Sequence, residues 1–286
     1  MWKDITLTGF ADEIAPELSK QIMHLKTLGI SFIEMRGVNG KGLVDYTLEE
    51  AKEIKNRLDA EGFRLSSVGS PIGKISVYDP FKPHLEKLKH TIEIAHTMAV
   101  KNIRVFSFYI PKENKPILYQ DQVLEQMGKM VDLASQNEVV LLHENEKGIF
   151  GDNADRCKEL MKHFYGDHFK AVFDFANFVQ VGQDTVEAYD LLSPYIDYVH
   201  IKDARKDTGT VVPPGAGDGH LELILNRMKE NGYKGFLSLE PHLADFGGFK
   251  ALEQGGSLGK GRLSGEAAFT LSYTSLMEIL ERMKDE

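Results

Sequence analysis

The sequence lacks the features that mark a secreted, disulfide-stabilised or membrane-embedded protein. Its 286 residues include one cysteine, Cys157, which excludes an internal disulfide. No stretch approaches the ~18 consecutive apolar residues of a membrane helix. The first residues, MWKDITLTGFADEIAPEL, also lack the apolar segment of a secretory signal. We therefore expect a cytoplasmic protein without a membrane partner.

The sequence also has fewer basic than acidic residues. Lysine and arginine number 34, against 43 aspartate and glutamate residues, which gives a formal net charge of −9. Proteins that bind nucleic acids need a basic surface for the phosphates, so this balance argues against a nucleic-acid partner.

What the sequence does contain is a repeated alternation of strand-like and helix-like segments. Short apolar runs occupy residues 5–10, 31–37, 64–70, 102–109, 138–145, 170–177, 196–203 and 235–242. Helical patterns follow the runs, among them residues 16–29, 47–62, 119–137, 153–164, 219–232 and 264–284. The second of these helices opens with Thr47 and Glu50, the signature of a capping box.

Eight strand–helix units predict an α/β fold, a (β/α)8 TIM barrel formed by one domain over residues 1–286. A doubly wound open sheet is the alternative. Such a sheet often carries a G-x-G-x-x-G loop after its first strand, whereas here the first strand leads into GFADEIAP. The barrel is therefore the preferred fold.

Ionisable side chains close the last four apolar runs. Glu144 follows VVLLH, Asp174 follows KAVF, His200 follows DYV and Glu240 follows FLSL. In a barrel, the carboxyl ends of the strands meet at the face that carries the active site. Buried carboxylates at one height repel one another, and their burial costs free energy unless they are paired or bind a cation.

A divalent metal site explains this pattern best. Any one of these residues alone would be interpreted as solvated or as half of an ion pair, but four at the ends of consecutive strands favour a shared cation. Oxygen and imidazole ligands without a thiolate suit Mn²⁺, Mg²⁺, Co²⁺ or Zn²⁺, and we expect Mn²⁺. The predicted metal ligands are Glu144, Asp174, His200 and Glu240.

Side-chain alternation extends the predicted site. Positions i and i+2 of a strand point to the same side of a sheet. If His200 faces the barrel axis, Lys202 also points to the barrel mouth. If Glu240 faces inward, His242 points to the same side. We expect Lys202 to bind a substrate oxygen or phosphate, or to pair with a ligand carboxylate.

Two other segments are candidates for the mouth. Glu34 and Arg36 form an i, i+2 pair on the second strand, and we expect the two to be ion-paired. The loop KDTGTVVPPGAGDGH, residues 206–220, is rich in glycine. Its backbone N–H groups could approach a ligand, although an ordinary turn into the next helix is the alternative. His143, beside Glu144, should point away from the mouth as a packed histidine.

Several motifs together resemble one family of barrels. HENEKGIFGD, FDFANFVQVGQD, HIKDA followed by GAGDGH, and LEPH are similar to segments of the sugar phosphate isomerase/epimerase family of xylose isomerase-like TIM barrels. In that family the last four strands supply Glu, Asp, His and Glu to one divalent metal. The resemblance implies this role for Glu144, Asp174, His200 and Glu240. It also implies that the two glutamates act as acid and base on opposite faces of a sugar.

The sequence departs from this family at positions that bear on the reaction. The epimerases often carry a histidine three residues after the strand-six aspartate, where this chain has Asn177, which cannot shuttle a proton in the same way. Their arginine after the strand-seven histidine has no clear match, although Lys202 or Arg205 could replace it. The related endonuclease IV branch needs further histidines, where this chain reads SSVGSP, FSFY and Asn177. DNA repair is therefore not expected.

The resemblance and the residues together predict a divalent-metal-dependent isomerase or epimerase that acts on a sugar, sugar phosphate or keto-polyol through an enediolate. Glu144 and Glu240 are the predicted acid and base. A metal-dependent dehydratase or lyase on a keto-polyol and a non-catalytic sugar-binding barrel are the alternatives, and homo-oligomerisation is left open. The candidate substrate-binding residues are Lys202, Asn177, His242, Glu146 and Arg36.

Overall fold

Eight parallel strands form the centre of the molecule in a computed structural model that describes residues 2–244 and 263–283. They are β1 (Thr6–Gly9), β2 (Phe32–Met35), β3 (Arg64–Ile72), β4 (Asn102–Val105), β5 (Val140–Glu144), β6 (Phe169–Asp174), β7 (Ile196–Ile201) and β8 (Phe236–Leu239). The hydrogen-bonded order is β1-β8-β7-β6-β5-β4-β3-β2, with every neighbouring pair parallel. Because β1 and β2 also lie side by side, the sheet is a nearly closed barrel. The predicted TIM barrel is confirmed.

Helices connect the strands, as crossovers between parallel strands require. The described helices are α1 (Leu18–Thr27), α2 (Leu48–Ala60), α3 (Phe81–Thr97), α4 (Gln120–Gln136), α5 (Ala154–Phe164), α6 (Phe175–Gln180), α7 (Thr185–Leu192), α8 (Leu221–Glu230) and α9 (Gly265–Arg282). The six helices with predicted ranges begin and end within two residues of the prediction. Within the described residues, no helix combines the length and apolar character needed to traverse a membrane.

Helix α2 shows how local sequence sets a boundary. The backbone N–H of Glu50 donates to Thr47 Oγ1 at 3.2 Å, and the backbone N–H of Thr47 donates to Glu50 Oε2 at 2.8 Å. These bonds satisfy N–H groups that the start of a helix otherwise leaves without partners. The predicted capping box is confirmed.

The sixth strand ends earlier than its apolar run. The sequence predicted strand up to residue 177, whereas β6 ends at Asp174 and α6 begins at the next residue. The side chain of Asp174 accepts a hydrogen bond from the backbone N–H of Asn177 at 2.8 Å, and it thereby caps the helix. Because the run is apolar in both conformations, its pattern could not reveal the switch.

Apolar side chains form separate groups on the two sides of the sheet. The large group includes Leu141, Phe173 and Val199, and it packs between the sheet and the helices. Leu142, Val172 and Tyr198 form a small group of their own. Each member of the small group lies two residues before Glu144, Asp174 or His200. Because side chains two positions apart on a strand share a face, both sets point to the inside of the barrel.

The capping box predicts a measurable loss of stability. Thr47→Ala removes the hydroxyl that accepts from Glu50 at an exposed position. We expect the free energy of unfolding, measured by urea denaturation, to fall by about 1 kcal/mol.

Lys52→Ala is the matched control, because Lys52 is an exposed residue of the same helix. Its effect should stay within about 0.5 kcal/mol. Equal losses in the two variants would contradict the capping role.

Candidate metal centre

Four ionisable side chains converge where β5, β6, β7 and β8 end. Glu144 and Asp174 are the last residues of their strands, His200 is the last but one of β7, and Glu240 follows β8. One ligand atom from each residue lies within 4.8 Å of the others, and all four side chains are buried. The structure thus brings together the four residues that the sequence selected.

The imidazole of His200 lies among the three carboxylates. Its Nδ1 atom is 3.2 Å from Glu144 Oε1, 3.7 Å from Asp174 Oδ2 and 3.9 Å from Glu240 Oε2. Three oxygen atoms and one imidazole nitrogen therefore surround one point at the end of the barrel.

Two of these atoms have no hydrogen bond in the described part of the chain. They are His200 Nδ1 and Asp174 Oδ2, and both are buried. Buried polar atoms without hydrogen bonds are rare in folded proteins because their desolvation is uncompensated. Charged groups lie near both atoms, with Lys202 Nζ 3.1 Å from Asp174 Oδ2 and Glu144 Oε1 3.2 Å from His200 Nδ1. A divalent cation with oxygen and nitrogen ligands would bind both atoms directly, so the donor set fits a metal ion.

Lys202 reaches the same cluster from the strand end of β7. Its Nζ atom lies 3.1 Å from Asp174 Oδ2 and 2.8 Å from Glu240 Oε2. Burial lowers the pKa of Lys202, but Asp174 and Glu240 outweigh burial and hold this pKa well above its ordinary value. The sequence suggested that Lys202 binds a substrate oxygen or phosphate, or pairs with a ligand carboxylate. In the structure it is paired with the carboxylates.

Two arginines hold the outer oxygens of the glutamates. Arg104 Nη1 donates to Glu144 Oε2 at 3.1 Å, and Arg36 Nη1 donates to Glu240 Oε1 at 3.2 Å. Both guanidinium groups stack on Phe10, 4.8 Å and 4.6 Å from its ring centre. Sequence reasoning missed Arg104, although an arginine inside the apolar run NIRVFSFY was the signal that could have found it.

The surrounding cations set the charge state of the two glutamates. Burial raises the pKa of Glu144, but His200 and Arg104 outweigh burial and bring it to about 2. Burial acts in the same direction on Glu240, where Lys202 and His242 outweigh it and hold the pKa well below its ordinary value. Both side chains are therefore carboxylates at neutral pH.

The expected ion pair between Glu34 and Arg36 is wrong. Arg36 donates from Nε and Nη2 to Asp12 at 2.8 and 3.1 Å, and also contacts Glu13 and Glu240. Glu34 instead contacts residues inside the barrel. The reason is position along β2, because Glu34 lies within the strand while Arg36 follows its end.

His242 links Glu240 to the turn that follows β1. Its Nε2 atom lies 3.3 Å from Glu240 Oε1 and 3.5 Å from Glu13 Oε1, and its backbone N–H donates to Glu13 Oε2 at 2.7 Å. Burial lowers the pKa of His242, but the two glutamates raise it to about 9. The φ angle of 49° at His242 is uncommon for a residue other than glycine.

Asn177 and Glu146, the other predicted substrate-binding residues, contact protein groups. Asn177 Nδ2 donates to Glu144 Oε1 at 3.1 Å and to the carbonyl of Asn145 at 2.8 Å. Glu146 Oε2 accepts from Lys74 Nζ at 2.9 Å. Asn177 thus orients one of the three converging carboxylates.

The backbone N–H groups of the glycine-rich loop face a side chain of the protein. Asp203 Oδ2 accepts from Gly215 and Gly217 at 2.9 Å each, and Oδ1 accepts from Gly219 at 3.0 Å and from Ala204 at 2.9 Å. A Cβ atom at Gly217 or Gly219 would collide with Asp203. The interpretation of this loop as a ligand cradle is therefore wrong, and the alternative, a turn leading into α8, is correct.

His143 is a packed histidine, as expected from its neighbour Glu144. It is buried, and its Nε2 atom lies 3.0 Å from Ser107 Oγ. Burial lowers its pKa to about 4, so His143 is neutral at neutral pH.

A (β/α)8 barrel with a buried cluster of carboxylates and imidazole at its strand ends defines the class of this protein. The chain belongs to the xylose isomerase-like TIM barrel family, whose model matches residues 22–257. It is 23% identical over 243 residues to an inosose dehydratase of Clostridium perfringens, which covers 74% of this chain and 80% of that protein. It is 20% identical over 174 residues to a 3-dehydroshikimate dehydratase of Bacillus anthracis, 61% of this chain and 62% of that protein.

Solved structures share the fold across the chain. A D-tagatose 3-epimerase-like protein has a TM-score of 0.75 at 17% identity and covers 98% of both chains. The IOLI protein with a zinc atom has a TM-score of 0.71 at 15% identity, with 97% and 99% covered. A Mycobacterium smegmatis xylose isomerase-like TIM barrel protein in complex with magnesium has a TM-score of 0.64 at 18% identity, with 96% and 97% covered.

The contacts of Asp203 predict that it orders the loop before α8. Asp203→Ala leaves the N–H groups of Gly215, Gly217 and Gly219 without their acceptor. We expect hydrogen–deuterium exchange at these three amides to accelerate by about tenfold or more, since each lost hydrogen bond is worth roughly 1–3 kcal/mol.

Asp218→Asn is the control, because exposed Asp218 accepts one bond, from the backbone N–H of Lys206. Unchanged exchange at the three glycines in Asp203→Ala would contradict the proposed anchoring.

Proposed function

We propose that this protein is a divalent-metal-dependent enzyme that removes the proton beside the carbonyl group of a polyhydroxylated ketone or sugar. The observation that carries the proposal is the convergence of four buried donors, Glu144, Asp174, His200 and Glu240, within 4.8 Å. Membership in the xylose isomerase-like family supports it.

The four donors would hold one cation. Two structures of similar fold contain zinc and magnesium, which supports a divalent ion in this protein. We propose Mn²⁺ as the ion in this protein, because three carboxylate oxygens and one imidazole suit it and no thiolate is offered. When bound, the cation would act as a Lewis acid that polarises a carbonyl group and stabilises the negative charge left by proton removal.

The protein groups divide the remaining work. Glu144 and Glu240 are ionised, and one of them would accept the proton from the carbon beside the carbonyl. Arg104 and Arg36 hold the outer oxygens of these glutamates and so fix the direction in which each carboxylate points. This support keeps the acid–base pair oriented without a contribution from solvent.

The other predicted residues are proposed either to bind the substrate or to position the two glutamates. Lys202 and His242 are both buried beside Glu240, where they can donate hydrogen bonds to substrate oxygens. Asn177 is proposed to position Glu144, and Arg36 to position Glu240. Glu146, paired with Lys74, is proposed to contact a more distant part of the substrate.

Two classes of reaction share this first step. In the first class, return of the proton from the opposite face gives an epimer, or return to the neighbouring carbon gives an isomer. In the second class, the hydroxyl group on the next carbon takes up a proton and leaves as water, which gives a dehydration product. The similarity to an inosose dehydratase and a 3-dehydroshikimate dehydratase favours dehydration as the second candidate, while the D-tagatose 3-epimerase-like fold supports the first.

Metal binding should stabilise the folded protein. With free Mn²⁺ at about 100 times its dissociation constant, we expect the free energy of unfolding to rise by about 2.7 kcal/mol. Thermal denaturation with and without Mn²⁺ measures the change.

The variants Asp174→Asn and His163→Asn give the comparison for metal binding. Asp174 is one of the four donors, whereas His163 is an exposed residue of α5. Stabilisation should weaken only in Asp174→Asn. Equal stabilisation of both variants would place the ion elsewhere.

Loss of either glutamate should stop proton transfer. We expect Glu240→Gln and Glu144→Gln to lower the rate of deuterium incorporation from D₂O into the substrate by at least about 100-fold. The assay is ¹H NMR of the metal-loaded protein with a panel of sugars, sugar phosphates and keto-polyols.

Glu222→Gln is the control for this assay, because half-exposed Glu222 pairs with Arg282 outside the site. An epimer or isomer keeps every oxygen of the substrate, whereas a dehydratase product has lost one water, and NMR distinguishes them. Full activity of Glu240→Gln would contradict its role, and exchange with no compound in the panel would support a sugar-binding barrel instead.

A further inference from the structure

Glu34 is a buried carboxylate that the proposed reaction does not use. It lies in β2 and is 1% exposed. Its Oε2 atom is 3.1 Å from His200 Nε2 and accepts from Ser238 Oγ at 2.7 Å. Because a carboxylate can only accept hydrogen bonds, this contact requires the Nε2 atom of His200 to carry a proton.

The contact with Glu34 crosses the barrel interior. Because β1 and β2 lie side by side and nearly close the barrel, β1 and β8 are the two strands between β2 and β7 on that side. Side chains from β2, β8 and β7 therefore meet inside the barrel, with Ser238 of β8 bonded to the same oxygen as His200. The second oxygen, Glu34 Oε1, is buried without a hydrogen bond in the described part of the chain. Such an arrangement costs free energy that an apolar residue at position 34 would avoid.

The imidazole of His200 is held on its other sides by two aromatic rings. Phe10 meets it edge-on, with ring centres 5.3 Å apart at 79°, and Tyr198 meets it at 5.8 Å and 85°. With the rings in contact and Nε2 bonded to Glu34, Nδ1 faces the carboxylates, 3.2 Å from Glu144 Oε1. The orientation of the ring and the position of its proton are thus set by Glu34, Phe10 and Tyr198.

We propose that Glu34 is a positioning residue for the metal centre, which fixes the ring and the tautomer of His200 so that Nδ1 is presented to a divalent cation. The inference rests on the proposed function. A carboxylate that accepts from the far N–H of a ligand histidine also makes the ligand nitrogen more basic, and loss of such a partner typically lowers metal affinity by about 10–100-fold.

The test compares Glu34→Gln with Thr91→Val in the purified protein. Thr91 is a matched control, because its hydroxyl is also buried but bonds to the backbone carbonyl of Lys87 within α3. Calorimetric titration with Co²⁺ should show a dissociation constant raised by about 10–100-fold in Glu34→Gln and little changed in Thr91→Val.

A spectroscopic readout separates positioning from a general structural role. The visible absorption bands of bound Co²⁺ report its ligands, so we expect them to shift in Glu34→Gln and to stay unchanged in Thr91→Val. If the wild-type protein binds no Co²⁺ or Mn²⁺, both the proposed function and this inference are overturned. If the wild type binds the metal and Glu34→Gln binds it with equal affinity and an unchanged spectrum, the inference alone is overturned.

A second variant covers loss of folding in Glu34→Gln, which circular dichroism would detect. Glu34→Asp keeps the carboxyl group but withdraws it from His200 by one methylene. We expect weaker Co²⁺ binding and shifted absorption bands in this variant. Wild-type affinity and spectrum in Glu34→Asp would overturn the inference.

Discussion

The balance of buried charge at the mouth of the barrel is the constraint on which the rest of the site depends. Glu144, Asp174 and Glu240 are withdrawn from water within a few ångströms of one another. Isolated charges at such depth cost several kcal/mol each. The described structure surrounds them with basic side chains from other parts of the barrel, namely Arg36, Arg104, His200, Lys202 and His242.

Local pattern made the barrel and the four donors predictable from sequence. A charged residue at the end of an apolar run, such as Glu144 or Asp174, lies at the carboxyl end of a strand, and the sequence alone shows that position. The partners of these residues were harder to predict, because they lie far away in the chain. Glu34 and His200 are 166 positions apart, and no spacing rule connects residues across a barrel interior.

The glycine-rich loop illustrates the same limit in another way. Its glycines correctly indicated tight turns and close backbone approach, but the direction of their N–H groups depends on a side chain outside the loop. Asp203, at the end of the seventh predicted run, collects the N–H groups of Gly215, Gly217 and Gly219. Composition therefore identified the glycine-rich loop. Tertiary contacts determined that its N–H groups bind a side chain of the protein rather than a ligand.

The proposed chemistry assigns separate tasks to two sets of buried side chains. Glu144, Asp174, His200 and Glu240 would bind a cation. Glu34, which also accepts from Ser238, would orient the imidazole of His200. Epimerisation and dehydration can both begin from this arrangement, because they differ only after the proton has left. The groups that distinguish them would act after that step, and the proposed candidates are Lys202 beside Glu240 and Asn177 beside Glu144.

The location of the metal tests the central claim most directly. Anomalous X-ray diffraction from crystals grown with Mn²⁺ should give one strong peak among Glu144 Oε1, Asp174 Oδ2, His200 Nδ1 and Glu240 Oε2. Each of these atoms should lie roughly 2.0–2.4 Å from the peak, the range of metal–oxygen and metal–nitrogen bonds in proteins. A strong peak elsewhere, or no peak between these four side chains at saturating Mn²⁺, would contradict the account.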